Sequence, residues 1–306
     1  MPLTNPLPRL RAALRFARGL RRGVARGDFF PDRGTPPMPA PGGSEAPPPP
    51  GPRNEAGRFV TLRHALGPSA LPTSVSVLHL TDLHVRGPGP WLDALCAALR
   101  AAPPADLLCL TGDLVTRGWT APAVNQLLAA LPPARLGRFA VMGNWEHWAG
   151  LRPPGWGDRL AAAGVQLLHN RWVDVGPLIV AGTDDHLAGA ADPVAALAGR
   201  PAGKPTLTLT HSPAFFDQLR GPDLLLTLAG HSHAGQVRAP VLGALWAPMG
   251  TGRYVAGWYR RGDHHLHVGR GLGWSIAPVR WGCPPELSWI RLGPGGSEAP
   301  AHVDVG

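Results

Sequence analysis

Five short apolar runs in this chain each break off into a knot of Asp, Asn or His. Ser74–Leu80 runs into Thr81-Asp82-Leu83-His84, Ala105–Leu110 into Thr111-Gly112-Asp113, and Arg138–Met142 into Gly143-Asn144-Trp145-Glu146-His147. Thr206–Leu209 runs into Thr210-His211-Ser212-Pro213, and Asp223–Leu228 into Gly230-His231-Ser232-His233. Runs of this length read as strands buried on both faces. Leu178–Ala181, His265–Gly269 and Leu287–Leu292 are further strand candidates, and helical segments fall near 90–102, 121–131, 156–163, 193–199 and 213–220. Asp192–Pro193 and Ser212–Pro213 each set a capping residue before a proline, a helix-start signal. This alternation implies a layered α/β fold around a largely buried sheet.

The knots carry metal-ligand chemistry. In an extended segment residues i and i+2 point the same way, so Asp82 and His84 could grip one ion together, as could His231 and His233. Ligands at the carboxyl ends of strands fall where open α/β sheets bind their ligands. Gly112, Gly143 and Gly230 let the backbone turn sharply beside the ion. Imidazole, carboxylate and amide together suit Mn, Fe, Zn or similar divalent ions rather than Ca. One short motif arises easily by chance; five in order, each after an apolar strand, do not.

The pattern D-x-H, G-D, G-N-x-[DE], a strand-end His and G-H-x-H resembles the calcineurin-like metallophosphoesterase superfamily over about residues 75–292. Gly230-His231-Ser232-His233-Ala234-Gly235-Gln236-Val237, with Arg270-Gly271-Leu272-Gly273 and Pro285-Glu286 behind it, is similar to its bacterial phosphodiesterase branch. That branch includes enzymes similar to UDP-diacylglucosamine pyrophosphatases. The resemblance implies a four-layer αββα sandwich and two divalent ions. Asp82, His84 and His233 would hold the first ion and Asn144, His211 and His231 the second, with Asp113 bridging them. Such a pair makes a hydroxide nucleophile from a shared water and offsets phosphate charge, so no protein base is needed. The implied activity is hydrolysis of phosphodiester or pyrophosphate bonds, lipid-linked ones included.

One position departs from the family pattern. The residue after Asn144 is usually His, thought to protonate the leaving group, and here it is Trp145. Indole supplies no proton at neutral pH, and His147 is the candidate to replace it. An alkoxide leaving group needs that proton far more than a phosphate does, so Trp145 tilts the substrate toward pyrophosphates. Arg86, Arg117, Arg238 and Arg253 lie near the motifs in sequence; Arg238 is the strongest candidate for a bidentate phosphate clamp. Trp145, Trp148 and Trp156 read either as core and rim packing or as an apolar wall for an acyl chain or a base, His79 as a packed core histidine, and Gly182-Thr183-Asp184-Asp185-His186 as a turn that either supports the ligands from behind or is a plain loop.

Composition bounds the rest. The chain has 306 residues and a formal net charge of +9, but residues 1–57 hold nine Arg against four acids, and residues 58–306 hold twenty basic against sixteen acidic residues. Leu10, Leu14, Ala17, Leu20 and Val24 recur at helical spacing among seven Arg between Arg9 and Arg26, a pattern suited to peripheral contact with an anionic membrane. Ten prolines in Pro31–Pro52 read as an extended linker. The expected organisation is a disordered basic, Pro-rich arm over 1–57, the metallophosphoesterase domain over 58–292 and a flexible tail over 293–306. PGGSEAP occurs at both edges, 41–47 and 294–300. Arg21–Arg22 has no apolar stretch behind it, so export is not expected, and no run reaches the roughly 18 apolar residues of a membrane span. The chain is expected in the cytoplasm, peripheral on the inner face of the membrane. Cys96, Cys109 and Cys283 lack metal or disulfide spacing. A nuclease is disfavoured because most of the excess charge belongs to the arm, and a non-catalytic scaffold because all seven ligand positions hold competent residues.

Overall fold

The computed structural model describes residues 55–67, 71–239, 242–294 and 303–304. Its first sheet holds β1 (Val60–Leu66), β2 (Val75–Leu80), β3 (Ala105–Thr111), β4 (Ala134–Val141), β5 (Gln166–Leu167) and β14 (Glu286–Leu292), in the order β1-β14-β2-β3-β4-β5. Only the β14–β2 pairing is antiparallel. The second sheet holds β6 (Arg171–Asp174), β7 (Ile179–Gly182), β8 (Thr206–Leu209), β9 (Leu224–Ala229), β12 (Gly257–Arg261), β13 (His264–Val268) and β15 (Val303–Asp304). Its order is β15-β12-β13-β9-β8-β7-β6, with β7, β8, β9 and β13 parallel. A small hairpin of β10 (Arg238–Ala239) and β11 (Gly243–Ala244) follows the last histidine motif.

Side-chain alternation along β2, β3 and β4 assigns the layers. Val75, Val77, Leu107, Cys109, Phe139 and Val141 face Val180, Leu207, Leu209, Leu226 and Leu228 of the second sheet. Leu78, Leu80, Leu108, Leu110 and Ala140 turn the other way, onto α1 (Pro90–Arg100), α2 (Ala121–Ala130) and α4 (Pro153–Ala162). These strands are therefore apolar on both faces, as their unbroken runs require. The outer layer on the second sheet is thin: α5 (Pro193–Leu197) and a 3-10 turn at Pro213–Asp217. Its apolar contacts come from Phe215, Phe216, Leu219 and Tyr254. The layering is the expected αββα sandwich.

Two helix starts behave differently. The Asp192 carboxylate accepts from Val194 N and Ala195 N at 2.9 Å each and caps α5. Ser212 makes no such cap; its hydroxyl donates to Asp185 at 3.4 Å, and the segment expected as a helix over 213–220 closes as the shorter 3-10 turn. Cys96, Cys109 and Cys283 are buried free thiols.

Residues 1–54 of the N-terminal arm lie outside the described residues. Glu55 and Ala56, inside the range expected for the arm, are packed: Glu55 N donates to Arg280 O and Glu55 Oε2 accepts from Cys283 N, both at 2.9 Å. Within the expected flexible tail, Val303 and Asp304 pair in parallel with Tyr259 and Arg260, occupying the open edge of β12.

Burial also fixes an acid-sensitive element. His79 and His264 are both pushed down to about 3 by desolvation, so both are neutral at pH 7. In the unfolded chain they protonate below about 6.5. Their folded pKa is depressed, so their contribution is complete above about pH 6.5 and is lost as the pH falls toward 3. Each removes about 1.4 kcal/mol per pH unit in that window. The denaturant midpoint should fall from pH 6.5 to pH 4, and His264→Gln should flatten that slope; a midpoint constant over the window would contradict this.

Candidate metal centre

All the polar knots emerge at the carboxyl ends of β2, β3 and β4 in one sheet and β8 and β9 in the other. The crevice between these ends receives two groups of three side chains, all buried. Asp82, His84 and His233 form one; Asp113, His211 and His231 form the other.

In the first group His84 Nε2 and His233 Nε2 lie 2.9 Å apart, with Asp82 Oδ1 3.4 Å from His233 Nε2 and 4.0 Å from His84 Nε2. Burial lowers the pKa of His84 to about 4 and drives His233 well below the imidazole range, so both rings are neutral. Two neutral ring nitrogens converging beside a carboxylate fit a divalent cation. In the second group His211 Nε2 lies 3.2 Å from Asp113 Oδ2, 3.1 Å from Asn144 Oδ1 and 3.2 Å from His231 Nδ1. His211 Nδ1 donates to Thr111 O at 2.7 Å, and His231 Nε2 donates to Met249 O at 2.5 Å. Each ring is thereby turned so that its other nitrogen faces the group. Burial opposes a proton on His211, but Asp113, Asp82 and Asp185 outweigh it and hold its pKa well above the ordinary value. The carboxylates already favour positive charge at this point.

His231 and His233 thus do not share one group, as side-chain alternation suggested. The reason is Ser232 between them, which is helical (φ −71°, ψ −23°) rather than extended, so the two side chains do not alternate as on a strand. Asp82 (φ 54°), His84 (51°), Asp113 (53°), His231 (67°) and His233 (49°) are all left-handed. Such strain costs about 1–3 kcal/mol per residue and persists where the surroundings over-determine it, typically at functional sites. The glycine reading also changes. Gly143 (φ −106°) does not turn left-handed; a Cβ there would lie 2.3 Å from Asp113 Oδ1, and one on Gly230 would meet Asp82 Oδ2 at 2.5 Å. These two glycines permit close approach of the ligand loops.

Glu146 is the main positioning group. It is fully buried on α3 (Asn144–Trp148) and accepts from Asp113 N and Gly143 N at 2.8 Å, Leu114 N at 2.6 Å and Val115 N at 3.2 Å. Asp113 Oδ1 in turn accepts from Trp145 N at 2.8 Å. The indole of Trp145 packs edge-on against His84, with centroids 5.8 Å apart.

His147 turns to Asp184, its Nε2 2.7 Å from Oδ1, while His169 Nε2 approaches Oδ2 at 3.2 Å. The hydrogen bond to Asp184 raises the pKa of His147. Asp184 and Asp185 follow the supporting alternative for this turn: Asp184 engages His147 and His169, and Asp185 accepts from Leu187 N and Ala188 N and faces Ser212. Arg238 is half-buried and donates to Ala234 O at 3.1 Å, on the loop just past His233. Arg253 is engaged with Asp217 at 3.4 Å and with the Tyr254 ring. Arg280, unmarked by any motif, is fully buried with Nη2 3.2 Å from His233 Nδ1, and donates to the carbonyls of Arg270 and Gly273.

A third buried group joins His64, His267 and Glu286. His79 extends it, 3.3 Å from His267 Nδ1 and 2.8 Å from Thr111 Oγ1. Arg270 pairs with Glu286 at 3.1 Å and Ser288 donates to it at 2.5 Å, so the Glu286 charge already has partners. A separate open cavity of about 580 Å³ beside α4 and β5 contains none of the strand-end ligands.

The description calcineurin-like phosphoesterase matches residues 75–235, more than half of the chain and all of both groups. The chain belongs to this family. It is 32% identical over 251 residues to the phosphodiesterase YaeI of Escherichia coli (strain K12), covering 78% of this chain and 90% of that protein. It is 28% identical to the metallophosphoesterase YkuE of Bacillus subtilis (strain 168), covering 61% and 68%. The crystal structure of TT1561 of Thermus thermophilus is 16% identical, with a TM-score of 0.41, covering 65% of this chain and 91% of that one. The chain is accordingly a phosphoester hydrolase of a family that uses divalent metals. Among the described residues no helix is long and apolar enough to cross a membrane.

Proposed function

We propose that the two groups each hold one divalent ion of the Mn, Fe or Zn kind, with Asp113 between them, and that the chain hydrolyses phosphodiester or pyrophosphate bonds. The observation that carries this reading is Asp113 Oδ2, which stands 3.2 Å from His211 Nε2 and 3.6 Å from His84 Nε2, between the two groups. Ions bound there supply Lewis acidity that activates water and offsets phosphate charge. Asn144 adds a neutral oxygen donor to the second group, while Glu146 and the Trp145 amide hold Asp113 in place. Arg238, one loop beyond His233, is the assigned phosphate contact. The phosphodiesterase name of the Escherichia coli relative supports the diester arm.

Trp145 decides the leaving group. Its ring covers the edge of His84 and offers no proton, and the described hydrogen bond of His147 goes to Asp184. Good leaving groups, phosphate in a pyrophosphate among them, are therefore favoured over alkoxides. With Mn-loaded full-length protein, a nucleotide-sugar pyrophosphate should turn over at least about 10²-fold faster than an alkyl phosphomonoester. Trp145→His should raise the alkyl rate selectively. Equal rates in the wild type, with no gain in the variant, would remove the leaving-group argument.

A further inference from the structure

Seven of the eight exposed large hydrophobic side chains among the described residues stand at the metal-ligand end of the sheets. Trp148, Leu187, Leu242, Leu245, Met249, Ile276 and Val279 follow the carboxyl ends of β4, β7, β9 and β13, and Val194 lies on α5. Scattered exposed apolar residues are ordinary, but a rim of them around one crevice is not.

The local structure explains how they come to share a face. Leu245 N donates to Val237 O, and Gln236 Nε2 donates to the carbonyls of Ala277 and Val279, so both apolar loops are stitched to the residues just after His233. Met249 O receives His231 Nε2, and a Cβ on Gly250 would meet both Leu187 and His231. Trp148 closes the helix that begins at Asn144.

Charge is added on the same side. Arg58, Arg86 and Arg117 are exposed; Arg86 donates to Ser275 O on the apolar loop, and Arg117 to Trp148 O. The 54 residues that precede Glu55 carry nine Arg against Asp28, Asp32 and Glu45. They join the fold where Glu55 meets Arg280 and Cys283, and where Trp91, which bonds Ala56 O, packs against Trp274. Trp274 is two residues in sequence from Ile276.

We propose that this rim is a docking surface for an anionic lipid bilayer, with Leu242, Leu245, Ile276 and Val279 entering the headgroup region. Single apolar side chains on separate loops, interspersed with Arg and adjoining a basic segment, suit shallow insertion among anionic headgroups. The crevice would then open toward the membrane. The placement rests on the hydrolase reading only for the position of the crevice.

The test is flotation of full-length protein with vesicles of phosphatidylcholine alone or with about 30 mol % phosphatidylglycerol. The expected result is binding to the anionic vesicles, weakened by salt, and about a tenfold loss of affinity in Leu245→Ser/Ile276→Ser and in Leu242→Ser/Val279→Ser. Both variants should hydrolyse a soluble aryl phosphodiester at the wild-type rate. Wild-type protein that ignores anionic vesicles, or variants that bind them as tightly, would overturn the proposal. So would a wild-type dimer that the same substitutions dissociate, because the rim would then be covered by a second copy. Vesicle binding without any metal-dependent hydrolysis would sustain the surface and defeat the hydrolase reading instead.

Discussion

Asp113→Ala is expected to lower turnover of a phosphodiester by about 10³-fold or more, with the fold retained. The side chain is buried at 2% exposure, and one oxygen faces His211 and His84 while the other accepts from Trp145 N. On the proposed reading, removing it deletes a ligand shared by the two ions, and it releases the Trp145 amide on the loop that carries Asn144. It also leaves His211 and His84 without the carboxylate that stands between them. Neither histidine can substitute, because an imidazole cannot supply the negative charge that the carboxylate places between the groups. A rate within about tenfold of wild type at saturating metal would show that Asp113 does not link the groups.

Glu146→Ala is expected to destabilise the protein by about 3–5 kcal/mol and to weaken metal affinity by about 10–100-fold. Four backbone N–H groups, at Asp113, Leu114, Val115 and Gly143, end on this one carboxylate. Each buried donor left without a partner costs about 1–3 kcal/mol, and water entering the space recovers part of the sum. Burial and the nearby Asp113 charge raise the pKa of Glu146 to about 7, while the four donors favour its ionised form. Glu146→Gln keeps one accepting oxygen and should fall between wild type and Ala. Denaturant unfolding in excess chelator separates the structural loss from any linkage to bound metal. A loss below about 1 kcal/mol for Glu146→Ala would show that water replaces the carboxylate without penalty.

The strands that carry ligands were legible because both of their faces are buried, which writes an unbroken apolar run into the sequence. Edge strands leave no such mark. Arg171-Trp172-Val173-Asp174 alternates weakly at the rim of the second sheet, and β1 and β12 mix Arg, His and Trp with apolar residues. The seven ligand candidates were legible as types in order, and the structure brings all of them to one crevice. Their backbone was not, since Asp and His with positive φ look like any other Asp and His. That is why alternation paired His231 with His233, although Ser232 between them is helical rather than extended. Glu146 was visible in its motif without a task, because its four partners are amides from two different loops. Asp184 and Asp185 follow β7 as the other knots follow their strands, and the strand-end rule alone would have marked them. Arg280 had no signal: its partners are carbonyls and one histidine brought together only by folding.

The most direct measurement is the metal content of the full-length chain, stripped with chelator, reloaded with Mn and freed of excess by gel filtration. Two ions per chain are predicted for the wild type, falling to one or fewer when Asp113 is alanine. A wild-type content of one ion, or two ions retained by the Asp113 variant, would contradict a paired centre bridged at that residue.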